Sequence, residues 1–158
     1  MDVSYYPRMM SMPASERLGS HLKRAEQALS ATKTAVLKPA GLTVAQYSAL
    51  LCLAGSPGIS AAALARLCRV TPPTMNAVLK NLQDRALIAR SPHEWHRNVL
   101  ETRLTDEGRA VLADADARVV RTEQALAAEF TEEERATLIA LLGRCADVLE
   151  LEKQRATP

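Results

Sequence analysis

The chain has 158 residues, 47% of them hydrophobic and 24% charged but only 3% aromatic. That is enough for one domain burying roughly 68–70% of its unfolded surface. A net charge of +2 signals no polyanionic partner by itself, and no apolar run reaches the length of a membrane span.

The first residues also lack the basic-then-apolar layout of a secretory signal, so a cytoplasmic location and no membrane partner are expected. Alanine and leucine dominate the composition, which favours helix. Residues 1–14 read as a flexible arm. From Ser15, apolar Leu18, Leu22, Ala25 and Leu29 recur at helical spacing down to about Leu37, and Pro39 and Gly41 end that helix. Thr43 opens a second helix with a capping box, because Gln46 stands three residues on; the 55–58 turn (GSPG) stops it. Ser60 caps a short third helix through about Cys68. After a very short turn Thr71 caps a fourth helix, with Pro72 and Pro73 suited to a first turn whose N–H groups are unpaired anyway. This helix runs to about Arg85, with Val78, Leu79 and Leu82 as its apolar stripe.

Two strand-like pieces follow, LIAR (87–90) and VLETRL (99–104), joined by a polar, basic tip. In the second, Leu100, Thr102 and Leu104 alternate with Glu101 and Arg103 as a half-buried strand should, leaving the two charged residues on one exposed face. Thr105, Asp106 and Glu107 then start a long fifth helix, and Thr131 with Glu134 caps a sixth reaching about residue 152. Residues 153–158 read as a tail. The expected fold is mostly α with a small β wing: a winged helix-turn-helix over 43–105. The long helices of 15–42 and 106–152 carry more apolar stripe than so small a core can cover, so they are expected to form a dimerisation bundle in a homodimer.

Charge is distributed unevenly. Residues 60–105 hold seven Arg or Lys against three acids, a net +4, whereas 106–158 hold seven against twelve, a net −5. The middle segment is therefore the candidate face for double-stranded DNA.

The stretches TPPTMNAVLKNLQDRALIAR (71–90) and VLETRLTDEGR (99–109) resemble those of the MarR (multiple antibiotic resistance regulator) family, and the resemblance extends from about Arg17 to Glu152. It implies a homodimeric winged-helix regulator, usually a repressor, of pseudo-palindromic operators, relieved by a small phenolic or other aromatic effector or by an oxidant. Two departures stand out. The family usually has glycine where this chain has Ala86, which disfavours a left-handed backbone and predicts a turn built differently. The family's acidic residue shortly before the wing arginine also has no clear equivalent in the tip, His93-Glu94-Trp95-His96-Arg97-Asn98. Counting back from Leu104-Thr105 places the wing arginine at Arg97 or Asn98.

Candidate DNA-binding residues follow from these positions. Residues early on a recognition helix reach base edges. Asn76 can pair bidentately with adenine, and the Thr74 methyl suits a thymine methyl. Thr71 and the first-turn amides suit phosphate. Met75 is either core or a thymine contact. Lys80, one turn beyond Asn76, suits phosphate or guanine. Arg97 is the expected minor-groove side chain, with His96 and Asn98 beside it on the tip. Arg90 and Arg103 either contact phosphate or hold the hairpin together. The resemblance further implies an effector pocket near the junction of dimerisation and DNA-binding parts, where His21 and Tyr47 are candidate lining residues.

No cofactor, metal or catalytic site is expected. The chain has no phosphate-cradling glycine loop, no GxSxG and no paired carboxylates in an apolar setting. HEWH (93–96) lacks the HExxH spacing. Cys52, Cys68 and Cys145 form no CxxC; they read as small apolar residues or, alternatively, as an oxidant-sensing thiol. The other alternative is a winged helix that serves as a protein-interaction module.

Overall fold

A computed structural model of the chain describes residues 12–92 and 100–156. Six α-helices and one hairpin follow in the order α1 (Leu18–Leu37), α2 (Val44–Gly55), α3 (Ala61–Leu67), α4 (Pro72–Asp84), β1 (Ile88–Pro92), β2 (Leu100–Leu104), α5 (Asp106–Ala128) and α6 (Glu132–Ala156). Helix α6 therefore runs beyond residue 152, and most of the expected tail is helical. No single helix among the described residues is long and apolar enough to cross a membrane.

The caps form where the side chains demand them. Thr43 Oγ1 accepts the Gln46 N–H while Gln46 Oε1 accepts the Thr43 N–H, and Ser60 and Thr71 accept from Ala63 and Thr74. Each satisfies a first-turn amide that has no partner inside its own helix.

The chain divides into two compact units, Met1–Asp116 and Ala117–Pro158. In the first, Leu50 and Leu53 of α2, Leu64 of α3, and Leu79 and Leu82 of α4 are all fully buried. Burying each is worth roughly 1.5–3 kcal/mol, and together they fuse the three helices. Strands β1 and β2 pair antiparallel in the register Ile88↔Leu104, Arg90↔Thr102, Pro92↔Leu100. Ile59 adds a bridge to Thr102, and the Gly58 N–H donates to the Thr102 carbonyl at 3.0 Å, so the loop after α2 pairs with the hairpin base. Burial along β2 departs from simple alternation at its outer end: Leu104 and Thr102 are buried, but Leu100 is 41% exposed.

Thr102 has no exposed surface, and its Oγ1 finds no hydrogen-bond partner among the described residues. A buried, unpaired hydroxyl costs about 1–3 kcal/mol. Thr102→Val keeps the shape and removes the hydroxyl, and is expected to raise stability by about 1 kcal/mol in urea unfolding. A loss of stability would show that the hydroxyl is satisfied in solution.

The turn after α4 differs from the sequence-based expectation. Ala86 adopts φ 56°, in the left-handed region, despite its Cβ. Its N–H donates to the Gln83 carbonyl and that of Leu87 to the Leu82 carbonyl, both at 2.9 Å. These paired bonds are the Schellman helix stop, which needs a left-handed residue at this place. Alanine thus takes a left-handed backbone that glycine adopts without penalty, and bears its strain. Ala86→Gly is expected to stabilise the protein by about 1 kcal/mol, measured by thermal unfolding.

The second unit holds the C-terminal part of α5, a turn, and α6. Thr131 and Glu134 form the expected capping box, with the Thr131 N–H donating to Glu134 Oε2 at 2.8 Å and the Glu134 N–H to Thr131 Oγ1 at 3.2 Å. The Thr131 amide holds the Glu134 carboxyl below its ordinary range. A lowered carboxyl favours the folded state above its unfolded pKa and loses that contribution as pH falls through the lowered value. No residue of α6 is buried in the single chain: Ile139 is 70%, Val148 57% and Leu149 60% exposed.

Candidate nucleic-acid interface

Helices α3 and α4 meet through four residues, Cys68-Arg69-Val70-Thr71. Arg69 turns the chain with φ 53°, and the Val70 N–H returns to the Ala65 carbonyl at 3.0 Å. The stop of α3 and the Thr71 cap of α4 thus fall within a few residues of each other. Thr71 Oγ1 also lies 2.8 Å from Thr74 Oγ1, joining the two hydroxyls at the head of α4.

The faces of α4 divide cleanly. Met75, Leu79 and Leu82 are buried, whereas Thr71, Thr74, Asn76 and Lys80 are exposed. Met75 therefore leaves the set of candidate DNA contacts. It stands four residues before Leu79 and seven before Leu82, on the stripe that packs inward, and is 1% exposed. Lys80 Nζ lies 2.7 Å from Asp84 Oδ2, an exposed pair one turn apart. A phosphate approaching Lys80 competes with that carboxylate, and so exposed a pair yields at little cost.

Two long-range bonds set α4 against the α1–α2 junction. Gln46 Nε2 donates to Asn81 Oδ1 at 2.7 Å, and Arg85 Nη1 donates to the Gly41 carbonyl at 2.8 Å. The base of the wing is held as firmly. Thr105 Oγ1 donates to the Ala86 carbonyl at 2.7 Å and accepts the Gly108 N–H at 3.0 Å, while the Thr105 N–H donates to the Leu87 carbonyl at 3.2 Å. The threonine and glycine of RLTDEGR are thus the joint between recognition-helix stop, wing and α5.

On the hairpin, Arg103 donates through Nε and Nη2 to Glu101 Oε2 at 3.2 and 2.8 Å, on the face they share; Arg103 is exposed there, whereas Glu101 is half-buried. Arg90 is half-buried, and its Nε is buried without a partner among the described residues. Arg103 is thus engaged with the hairpin itself. The tip candidates His96, Arg97 and Asn98 lie outside the described residues, as do His93, Glu94 and Trp95. Arg66 and Arg69 are exposed just before Thr71. The positive charge of the 60–105 segment counts them, but no motif singled them out.

The two candidate effector residues have separate surroundings. Tyr47 is buried, and its hydroxyl donates to Asp116 Oδ1 at 2.7 Å, tying α2 to α5. His21 is exposed, with Nε2 3.2 Å from the Ser15 carbonyl oxygen. A groove of about 580 Å³ at the α1–α2 junction is lined by Ser30, Thr34, Lys38 and residues 41–45, and includes neither of them. No group of three or more metal-ligating side chains occurs among the described residues.

A short helix, a tight turn, a second helix with a buried and a polar face, and an antiparallel hairpin define a winged helix-turn-helix protein. The profile of the MarR family matches residues 40–97. The HTH-type transcriptional repressor Rv2887 of Mycobacterium tuberculosis is 36% identical over 122 residues, covering 77% of this chain and 88% of that protein. Among solved structures, the transcriptional repressor CouR bound to a 23-mer DNA duplex is 34% identical with a TM-score of 0.77, over 84% of this chain and 94% of that one. Rv2887 in complex with salicylic acid is 34% identical with a TM-score of 0.64, over 82% and 96%. The chain belongs to the MarR family of transcriptional regulators.

Proposed function

We propose that this protein is a homodimeric, sequence-specific transcriptional repressor, and not an enzyme, that binds pseudo-palindromic duplex DNA and releases it when a small aromatic acid binds. The exposed side chains Thr74, Asn76 and Lys80 on α4, a helix anchored by buried Met75, Leu79 and Leu82, carry the reading. They offer a base-reading amide and a cation on a helix that the core holds rigidly. The Thr71 and Thr74 hydroxyls at the head of α4 suit a phosphate, and Arg97 of the wing tip suits a narrow minor groove. The uncovered apolar residues of α6, together with exposed Leu18 and Leu29 of α1, support assembly with a second copy. The effector class follows from the salicylic acid bound to Rv2887.

Selection of bound sequences from a random duplex pool tests this reading. Two inverted half-sites about 10 base pairs apart are expected, one for each recognition helix. Affinity for the selected site is expected to fall steeply with salt, by roughly 0.9 log units per decade for each phosphate neutralised. A pool with no enriched sequence, or a flat salt dependence, overturns it.

A further inference from the structure

Cys52 lies in the last turn of α2, and Cys68 is the residue that ends α3. They stand sixteen positions apart in sequence, yet their Sγ atoms are only 3.8 Å apart, in direct contact. A disulfide is about 2.05 Å long, so closure requires the two sulfurs to approach by roughly 1.8 Å. Both residues are half-buried, so a small oxidant has a path to them.

We propose that Cys52 and Cys68 form a modification site, at which a peroxide-class oxidant joins them in an intrachain disulfide that clamps α3 to α2 and weakens DNA binding. Burial pushes the Cys68 thiol up to about 11, reinforced by its hydrogen bond to Cys52, so Cys68 keeps its proton at neutral pH. Once deprotonated, Cys52 Sγ attacks the peroxide: an S–O bond forms, the O–O bond breaks, and hydroxide takes up the thiol proton as water. Cys68 Sγ then attacks Cys52 Sγ: the S–S bond forms, the S–O bond breaks, and the Cys68 proton leaves with the hydroxide as a second water. The two thiols lose two electrons, and the peroxide gains them.

The site sits where a small movement acts on the reading helix. Cys68 directly precedes Arg69, whose left-handed backbone makes the turn, and Thr71 caps α4 two residues later. Drawing Cys68 towards α2 strains that turn and shifts the start of α4. This consequence rests on the DNA-binding reading above, whereas formation of the cross-link does not.

The test uses the full chain with Cys145→Ser, treated with hydrogen peroxide and then analysed by intact mass, thiol alkylation and binding to the selected duplex. A loss of roughly 2 Da, reversed by dithiothreitol, is expected, with peptides containing Cys52 and Cys68 joined. Affinity is expected to fall about tenfold and to return on reduction. Cys52→Ser and Cys68→Ser in the same background are each expected to bind like the reduced protein after treatment. Two alkylatable thiols after peroxide overturn the proposal, and so does a disulfide that changes affinity by less than about twofold. Failure of the reduced protein to bind any duplex instead overturns the DNA-binding reading and the predicted loss of affinity with it; the mass readout still decides the cross-link.

Discussion

Replacing Gly108 by alanine is expected to destabilise the protein by about 3 kcal/mol, at the upper end of what overpacking usually costs. A Cβ at this position would lie 1.9 Å from the Leu87 carbonyl oxygen and 2.9 Å from its carbon. Both are backbone atoms, so no side-chain rotation relieves the clash. The Leu87 carbonyl accepts the Thr105 N–H, and Thr105 Oγ1 bonds both the Ala86 carbonyl and the Gly108 N–H. Any shift that accommodates a methyl group must break several of these bonds together. The helix-propensity gain of alanine over glycine, about 1 kcal/mol, is too small to offset that. Thermal unfolding is expected to show a fall in Tm of roughly 6–12 °C. Gly55→Ala is the control, because nothing lies within 4 Å of an added Cβ there, and its stability is expected to hold or rise slightly. Equal stability of Gly108→Ala and the parent would mean that α5 and the wing base are not so close in solution.

Asn76→Ala is expected to cost about 1–3 kcal/mol of affinity for the selected duplex, a loss of roughly 5- to 150-fold. Asn76 is exposed on α4 and takes no part in the buried stripe, so unfolding is expected to be unchanged and the loss to reflect recognition alone. A single base-pair position should lose its preference in the re-selected sequences, while the others keep theirs. Lys80→Ala makes the contrast. It is expected to weaken binding to all duplexes alike and to reduce the salt slope by about 0.9, because a phosphate contact carries no sequence information. If Asn76→Ala binds the parent's site with undiminished affinity, the base-reading role lies elsewhere on α4.

The caps show why much of this architecture was legible in the sequence. Thr43, Ser60, Thr71 and Thr131 mark helix starts because each satisfies an amide three residues away, and such bonds are written within one turn of chain. The polar and apolar faces of α4 follow from the same short-range periodicity. Arg103 and Glu101 could be placed on one face because strand side chains alternate, although Glu101 is half-buried there.

Other features depend on contacts between distant parts of the chain. Met75 fits either face by composition, and only packing beside Leu79 and Leu82 made it core. Cys52 and Cys68 show no metal or redox spacing; they became a pair because α2 and α3 cross where both sulfurs lie. Ala86 argues locally against a left-handed turn, yet the helix stop and the Thr105 bond hold it there. The helices, their caps and the helix-turn-helix order can be read from the chain alone, since they rest on interactions within a few residues. Which side chains of α4 stay exposed, which pass into core or hairpin, and which two sulfurs touch emerge from packing, because burial and long-range pairing are properties of the folded chain.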